Sequence, residues 1–132
     1  MIQWHESYSI GNERIDFQHK VFLGLISEFS EARQQNAAQE RLSRILEEVI
    51  KYAEYHFYSE ESLMTDCQYP ELGRHRILHD HLLNQARIKS SEMALELATP
   101  KEVEDFLINW FLLHTQHEDK KISQHIKASR QE

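Results

Sequence analysis

The segment HFYSEESLMTDCQYPELGRHRILH, residues 56–79, decides the fold because it contains two pairs of possible metal-ligating side chains at the same spacing. His56 and Glu60 are four residues apart, and so are His75 and His79. On an α-helix, residues four apart lie on one face, about one turn from each other. A short polar stretch with a proline separates the pairs and predicts a turn. The segment therefore predicts two antiparallel helices that direct their pairs toward each other.

The register of this hairpin brings the two pairs to one level. With the turn centred near residue 68, each member of one pair faces a member of the other with a mismatch of one position. One position corresponds to about 1.5 Å of helical rise. His19, His114 and Asp119 come to a similar depth from the rest of the chain, although the last hairpin fits less closely. All these side chains are expected to meet in one layer.

Helical periodicity extends over most of the 132 residues, which fit one domain, 1–132. Three glycines and two prolines leave few places for turns. We predict an irregular arm over 1–15 and helices over 16–35, 38–65, 71–97 and 100–128, the last with a break near 116–119. A capping box, Thr99-Pro100-Lys101-Glu102, starts the fourth helix. Short links between four helices favour an all-α, antiparallel up-down-up-down four-helix bundle with an N-terminal arm.

Residues spaced by three and four define the predicted inner face of each helix. Histidines and carboxylates occupy several positions where this pattern calls for core residues. The predicted inner positions are His19, Phe22, Ile26 and Phe29, then Leu42, Ile45, Val49, Ala53, His56, Glu60 and Leu63, then Leu72, His75, His79, Leu82 and Ala86, and finally Val103, Leu107, Trp110 and His114.

The inward polar residues suit a metal centre. Buried imidazoles and carboxylates are costly unless they are hydrogen-bonded, paired or coordinated, and a metal cluster compensates all of them together. Imidazole with carboxylate and no thiolate suits iron, zinc, copper or nickel. The set offers more donors than one tetrahedral zinc ion accepts, so two metal ions fit better. The candidate ligands are His19, His56, Glu60, His75, His79, His114 and Asp119.

The sequence leaves open which residue of the fourth helix is the second ligand beside His114. Five residues separate His114 from Asp119, which turns the second side chain about 140° away in a regular helix. His117, three residues from His114, lies on the regular inner face and competes for the position. A π-type bulge or a helix break would instead bring Asp119 inward. The chain contains no Glu-x-x-His motif, which disfavours a ferritin-like centre.

Composition excludes several other classes of protein. A net charge of −7 disfavours nucleic acid as a partner, since phosphate binding requires a basic surface. No apolar run reaches the length of about 18 residues that a membrane span needs. The first residues lack the apolar core of a signal peptide, and the only cysteine, Cys67, cannot form an internal disulfide. We expect a cytoplasmic protein in which Cys67 is a bystander.

Four groups of residues resemble successive motifs of bacterial hemerythrins, and the resemblance covers nearly the whole chain. They are Trp4-His5-Glu6-Ser7-Tyr8-Ser9-Ile10-Gly11 with Ile15-Asp16-Phe17-Gln18-His19-Lys20, His56-Phe57-x-x-Glu60-Glu61, Tyr69-Pro70-x-Leu72-x-x-His75-x-x-x-His79, and Trp110-x-x-x-His114-x-x-x-x-Asp119-Lys120. The resemblance implies two iron ions with a bridging oxo or hydroxo group. It places His75, His79 and His114 on one iron, His19 and His56 on the other, and Glu60 and Asp119 between them. Asp119 thereby ranks before His117.

The resemblance further implies reversible O2 binding at the iron with two histidines, for carrying, storing or delivering O2. The expected walls of the O2 pocket are Phe22, Ile26, Phe57, Trp110 and Phe111. Such an apolar pocket has no proton donor and no room for a larger substrate, which favours a binding protein over an enzyme. The family usually has leucine where Phe111 stands. A di-iron enzyme reducing peroxide or nitric oxide, an O2- or iron-sensing module and an iron-handling module are the alternatives. A redox partner or an O2-consuming enzyme would be its further partners.

Overall fold

The computed structural model describes residues 3–130. It contains five α-helices, a 3₁₀ turn at Glu6–Tyr8 and a π-helical segment at His114–Asp119. The helices are α1 (Glu13–Gln34), α2 (Gln39–Asp66), α3 (Leu72–Ala94), α4 (Pro100–Leu113) and α5 (Lys120–Arg130). Because α4, the π-helical segment and α5 follow one another without a break, they form one long rod, and residues 3–130 contain no β-strand.

Four helical rods, namely α1, α2, α3 and the continuous rod of α4 and α5, pack around a common interior. α1 packs against α2 and α4, and α3 packs against the same two helices. Each rod therefore contacts both of its neighbours, which is the arrangement of a four-helix bundle. The predicted all-α bundle is confirmed.

The N-terminal arm is shorter than predicted because α1 begins at Glu13 rather than at residue 16. Asn12 caps the helix, and its side-chain oxygen accepts a hydrogen bond from the amide of Ile15 at 3.0 Å. The preceding residue, Gly11, has φ 80° and makes the turn that leads into the cap. An Asn cap satisfies an amide that the helix leaves free, so the helix starts one turn earlier than the apolar pattern indicates.

The arm is fixed to the bundle by both polar and apolar contacts. The carboxylate of Asp16 accepts hydrogen bonds from Ser9 Oγ at 2.6 Å and from the amide of Ile10 at 2.8 Å. Tyr8 and Ile10 are buried, as expected of apolar anchors. The ring of Tyr8 meets that of Phe111 edge-on, with centroids 6.0 Å apart.

Helix α3 is shorter than the predicted 71–97. It begins at Leu72, so Pro70 precedes the helix instead of occupying its first turn. It ends at Ala94, because Glu96 takes a left-handed conformation with φ 59° and the amide of Leu97 turns back to the carbonyl of Glu92 at 2.7 Å. These contacts satisfy carbonyls at the end of the helix, which is how such ends commonly close.

The capping box of the fourth helix is confirmed at its first position. Thr99 Oγ1 accepts a hydrogen bond from the amide of Glu102 at 3.2 Å, and Pro100 is the first helical residue.

The predicted inner faces form the core, with two exceptions. Leu63 and Leu72 are only partly buried, since they pack against a smaller cluster of Met64, Tyr69 and Ile122. The other apolar positions of those faces belong to the main cluster, in which Phe29 is fully buried. Within residues 3–130, no helix combines the length and apolar character needed to cross a lipid bilayer.

Phe29→Ala is expected to lower the free energy of unfolding by about 3–5 kcal/mol, because it opens a cavity in the main cluster. The matched control is Phe17→Ala, whose ring is 66% exposed on the same helix and whose loss is expected to change stability by less than about 0.5 kcal/mol. Urea unfolding of the metal-free variants measures both. Equal effects of the two substitutions would contradict the assignment of the core.

Candidate metal centre

The seven predicted ligands meet in one buried layer, and none is more than 6% exposed. Each rod contributes at least one of them. α1 supplies His19, α2 supplies His56 and Glu60, α3 supplies His75 and His79, and the π-helical segment supplies His114 and Asp119.

Glu60 divides the five histidines into two groups. Its Oε1 lies 3.3, 3.0 and 3.2 Å from the Nε2 atoms of His75, His79 and His114, respectively. Its Oε2 lies 3.5 Å from Nε2 of His19 and 2.9 Å from Nε2 of His56. One carboxylate therefore presents one oxygen to three histidines and the other oxygen to two.

Asp119 spans the same two groups. Its Oδ1 lies 2.9 Å from Nε2 of His114 and 3.5 Å from Nε2 of His75. Its Oδ2 lies 3.0 Å from Nε2 of His19. Two sets of four buried donors result, each compact enough to surround one ion. They are Glu60, His75, His79 and His114, and His19, His56, Glu60 and Asp119.

The spacing and the bonding of these atoms fit two bound metal ions. Bonds of about 2.1 Å at right angles place neighbouring donors about 3.0 Å apart, close to the separations found here. Buried polar atoms normally have hydrogen-bond partners. In the described part of the chain, several atoms that face this centre lie close to one another but form no hydrogen bond. They are Nε2 of His19 and of His56, Oε2 of Glu60, and both carboxylate oxygens of Asp119.

The π-helical segment places Asp119, and not His117, on the inside of the fourth rod. It runs from His114 to Asp119, and its wider turn places both side chains inside, with Asp119 fully buried. His117, which the regular helical pattern favours, is exposed instead. Among the alternatives left open for this part of the fourth helix, the structure contains the π-type bulge.

In the metal-free protein, the centre holds protons at neutral pH. Burial lowers the pKa of His19, His75 and His114, but their contacts with Asp119 and Glu60 outweigh burial. The result is a pKa of about 9 for His19 and His75 and about 10 for His114. Three positive imidazoles thus surround the two carboxylates when no metal is bound.

The carboxylates and His56 shift in the complementary direction. Burial alone would raise the pKa of Glu60, but the positive charge of His114 and the hydrogen-bonding contacts of the carboxylate outweigh it and hold that pKa well below its usual value. Burial and Glu60 would raise the pKa of Asp119, but its contacts with several imidazoles, His114, His19 and His75, lower it. Burial lowers the pKa of His56, which leaves it neutral. Both carboxylates are therefore ionised and ready to bind cations.

Two polar contacts to the ligands were missed by the sequence analysis. His56 Nδ1 donates a hydrogen bond to Oε1 of the buried Gln18 at 2.9 Å. His79 Nδ1 donates to Oε2 of Glu61, also at 2.9 Å. Gln18 directly precedes one candidate ligand and Glu61 directly follows another, so a polar neighbour of a buried ligand is the signal that could have found them.

A cavity of about 10 Å³, enough for about one water molecule, lies beside His19 and His56. Its lining consists of His19, Phe22, His56, Phe57, Trp110, Phe111 and His114. Four of the five predicted pocket walls are among them. Ile26 is fully buried in the main core cluster but does not line this cavity. Trp110 donates its indole N–H to the carbonyl of Leu82 at 3.2 Å, so that group is already engaged.

The remaining histidines and the cysteine lie outside the centre. His5 and His81 are exposed, and His125 is partly buried, with Nε2 2.9 Å from the carbonyl oxygen of Cys67. Burial raises the pKa of the Cys67 thiol. A raised thiol pKa lowers the fraction of reactive thiolate, in line with the bystander role expected for this cysteine.

The fold and the buried layer define a four-helix-bundle protein with a histidine and carboxylate centre suited to two metal ions. Residues 10–126 match the family model described as the Hemerythrin HHE cation binding domain. The chain belongs to the hemerythrin family.

Comparisons with individual proteins agree. The chain is 24% identical over 132 residues to the bacteriohemerythrin of Stenotrophomonas maltophilia, covering 97% of this chain and 83% of that protein. It is 28% identical over 119 residues to the bacteriohemerythrin of Campylobacter jejuni, covering 86% of each. A crystal structure of wild-type hemerythrin matches with a TM-score of 0.84 at 20% identity, covering 96% of this chain and 98% of that one. At that identity, the structural match supports the bundle fold alone.

Asp119→Ala is expected to lose at least half of the bound metal, since the carboxylate contacts both histidine groups. His117→Ala is the matched control, because this exposed side chain lies two residues away in the same π-helical segment. Elemental analysis after anaerobic loading gives metal per protein, and circular dichroism checks that both variants fold. Full loading of Asp119→Ala, or loss of metal from His117→Ala, would contradict the geometry.

Metal binding is expected to release at least three protons at pH 7, because a metal ligates neutral imidazole and the pKa values of His19, His75 and His114 are all raised above 7. Raising the pH toward 9 weakens this competition, so the apparent affinity should increase. Calorimetric titration with Fe(II) in two buffers of different ionisation enthalpy counts the protons. No proton release and an affinity independent of pH between 6 and 9 would contradict the protonated state of the metal-free centre.

Proposed function

We propose that this protein holds two iron ions and binds O2 reversibly between its four rods. His75, His79 and His114 would hold one ion, His19 and His56 would hold the other, and Glu60 and Asp119 would serve both, with an oxo or hydroxo group completing the centre. The observation that carries the proposal is the sharing of Glu60 between a three-histidine and a two-histidine group. Imidazole and carboxylate without thiolate suit iron among the metals of such sites.

The unequal numbers of histidines support one open position. Asp119 also approaches the three-histidine group, with Oδ1 2.9 Å from Nε2 of His114, so with both carboxylates shared that group would have five protein donors and the two-histidine group four. The cavity is lined by both histidines of the two-histidine group, His19 and His56, and by one histidine of the other group, His114. A bound iron pair would supply two electrons and this vacant coordination position to O2.

The size and chemistry of the cavity favour binding over turnover. A volume of about 10 Å³ admits a very small molecule and excludes an organic substrate. Three of its walls are phenyl rings, and the indole N–H of Trp110 donates to Leu82. These aromatic walls have no hydroxyl or carboxyl group with which to protonate a bound ligand. They also keep bulk water away from it, so a ligand that enters as O2 can leave as O2.

The central test is whether the iron-loaded protein changes colour reversibly when O2 is added and removed. Anaerobic loading with Fe(II) is expected to give two ions per chain, exposure to air a visible charge-transfer band, and deoxygenation the loss of that band over repeated cycles. Protein loaded with Zn(II) is the control, since it occupies the same donors without redox chemistry. A band that never reverses, or steady consumption of O2 or peroxide with an added electron donor, would contradict the carrier function.

A further inference from the structure

The two proposed metal positions differ in the charge of the groups behind them. On the three-histidine side, His79 donates its Nδ1–H to the carboxylate of Glu61 at 2.9 Å. On the two-histidine side, His56 donates its Nδ1–H to the amide oxygen of Gln18, also at 2.9 Å. The two hydrogen bonds have equal length, but one acceptor carries a negative charge and the other is neutral.

Glu61 links His79 to the protein surface. It follows Glu60 on α2, is about one-quarter exposed, and accepts a hydrogen bond from Arg76 Nε on α3 at 3.2 Å through its other oxygen. The ring of Phe57 stacks on that of His79 with centroids 4.0 Å apart and planes 5° apart. The stacked ring of Phe57 therefore fixes the plane of the His79 ring, and the hydrogen bond to Glu61 fixes the direction of its Nδ1–H bond.

An ionised carboxylate does more than orient an imidazole. It accepts a hydrogen bond from Nδ1–H, fixes the tautomer that leaves Nε2 free for the metal, and makes Nε2 a stronger donor. A neutral amide fixes the tautomer and orientation without the added negative charge. A stronger donor favours the more highly charged state of the metal it binds.

We propose that Glu61 is a positioning residue that increases electron donation from His79 to the three-histidine position. Gln18 orients His56 without this effect, so the two metal positions differ in how strongly they stabilise the oxidised state. The inference rests on the proposed di-iron function. It adds a role for an acidic residue outside the seven ligands.

Helices α2 and α3 are joined by a second ion pair that serves as a comparison for Glu61. Glu54 on α2 forms an ion pair with Arg87 on α3, as Glu61 does with Arg76, but its ion-pair partner is Arg87 and not a candidate ligand. If the Glu61 contact only joined α2 to α3, the loss of either glutamate charge should have the same effect on the centre.

The first test compares Glu61→Gln with the matched control Glu54→Gln. Competition with a chelator measures Zn(II) affinity, which is expected to fall about 10- to 100-fold in Glu61→Gln and to stay unchanged in Glu54→Gln. In the Zn(II)-loaded protein, the NMR resonance of the His79 Nδ1 proton should move upfield only in Glu61→Gln, because its hydrogen bond weakens. Unchanged affinity and resonance in Glu61→Gln, or equal changes in both variants, would overturn the proposal.

The second test uses the sign of the change in midpoint potential of the iron-loaded protein. Glu61→Gln removes negative charge behind His79 and should shift the potential positively. Arg76→Gln breaks the same ion pair but leaves the Glu61 charge uncompensated, so it should shift the potential negatively, by less because Arg76 is 55% exposed. Shifts in the same direction would overturn the electronic role.

These readouts are independent of O2. If the wild-type protein shows reversible colour but Glu61→Gln retains wild-type affinity and potential, only the role of Glu61 fails. If colour never reverses but Zn(II) affinity and the His79 resonance change as expected, the role of Glu61 stands and the carrier function fails.

Discussion

The contact of one fully buried carboxylate, Glu60, with imidazoles from all four rods is the interaction on which the rest of the structure depends. Its two oxygens meet five Nε2 atoms at 2.9 to 3.5 Å, so any shift in helix register would separate it from some of them. So many ionisable groups are costly to bury unless they are paired or coordinated. The centre therefore constrains the bundle as much as the bundle positions the centre, and metal binding is expected to be linked to folding stability.

A second constraint is the π-helical segment His114–Asp119. A regular helix cannot direct two residues five apart to the same interior, whereas the wider π turn can. This local departure gives the centre its second shared carboxylate and lets one rod supply a ligand to each group. It also places His117 outside, which leaves Asp119 as the inward carboxylate beside His114 and His19.

Regular spacing made much of the fold and site predictable. His56 with Glu60 and His75 with His79 follow the helical repeat, so their faces and levels could be inferred from the chain alone. Periodicity could not distinguish His117 from Asp119 as the ligand, because no residue pattern predicts the π turn. The resemblance to the hemerythrin family favoured Asp119. Periodicity also shows which side of a helix faces inward, but not which side chains it meets on the neighbouring helices. The contacts of Gln18 and Glu61 were therefore not predicted, and Ile26 was wrongly expected beside the cavity. The end of α3 depended on the left-handed Glu96, a conformation that the apolar pattern does not encode.

The most direct test of the account is a crystal structure of the iron-loaded protein with anomalous diffraction data collected on both sides of the iron absorption edge. A di-iron centre built on these side chains should give two iron peaks, each within bonding distance of both Glu60 and Asp119, with three histidines at one and two at the other. A single iron peak, or two peaks that do not share these carboxylates, would contradict it.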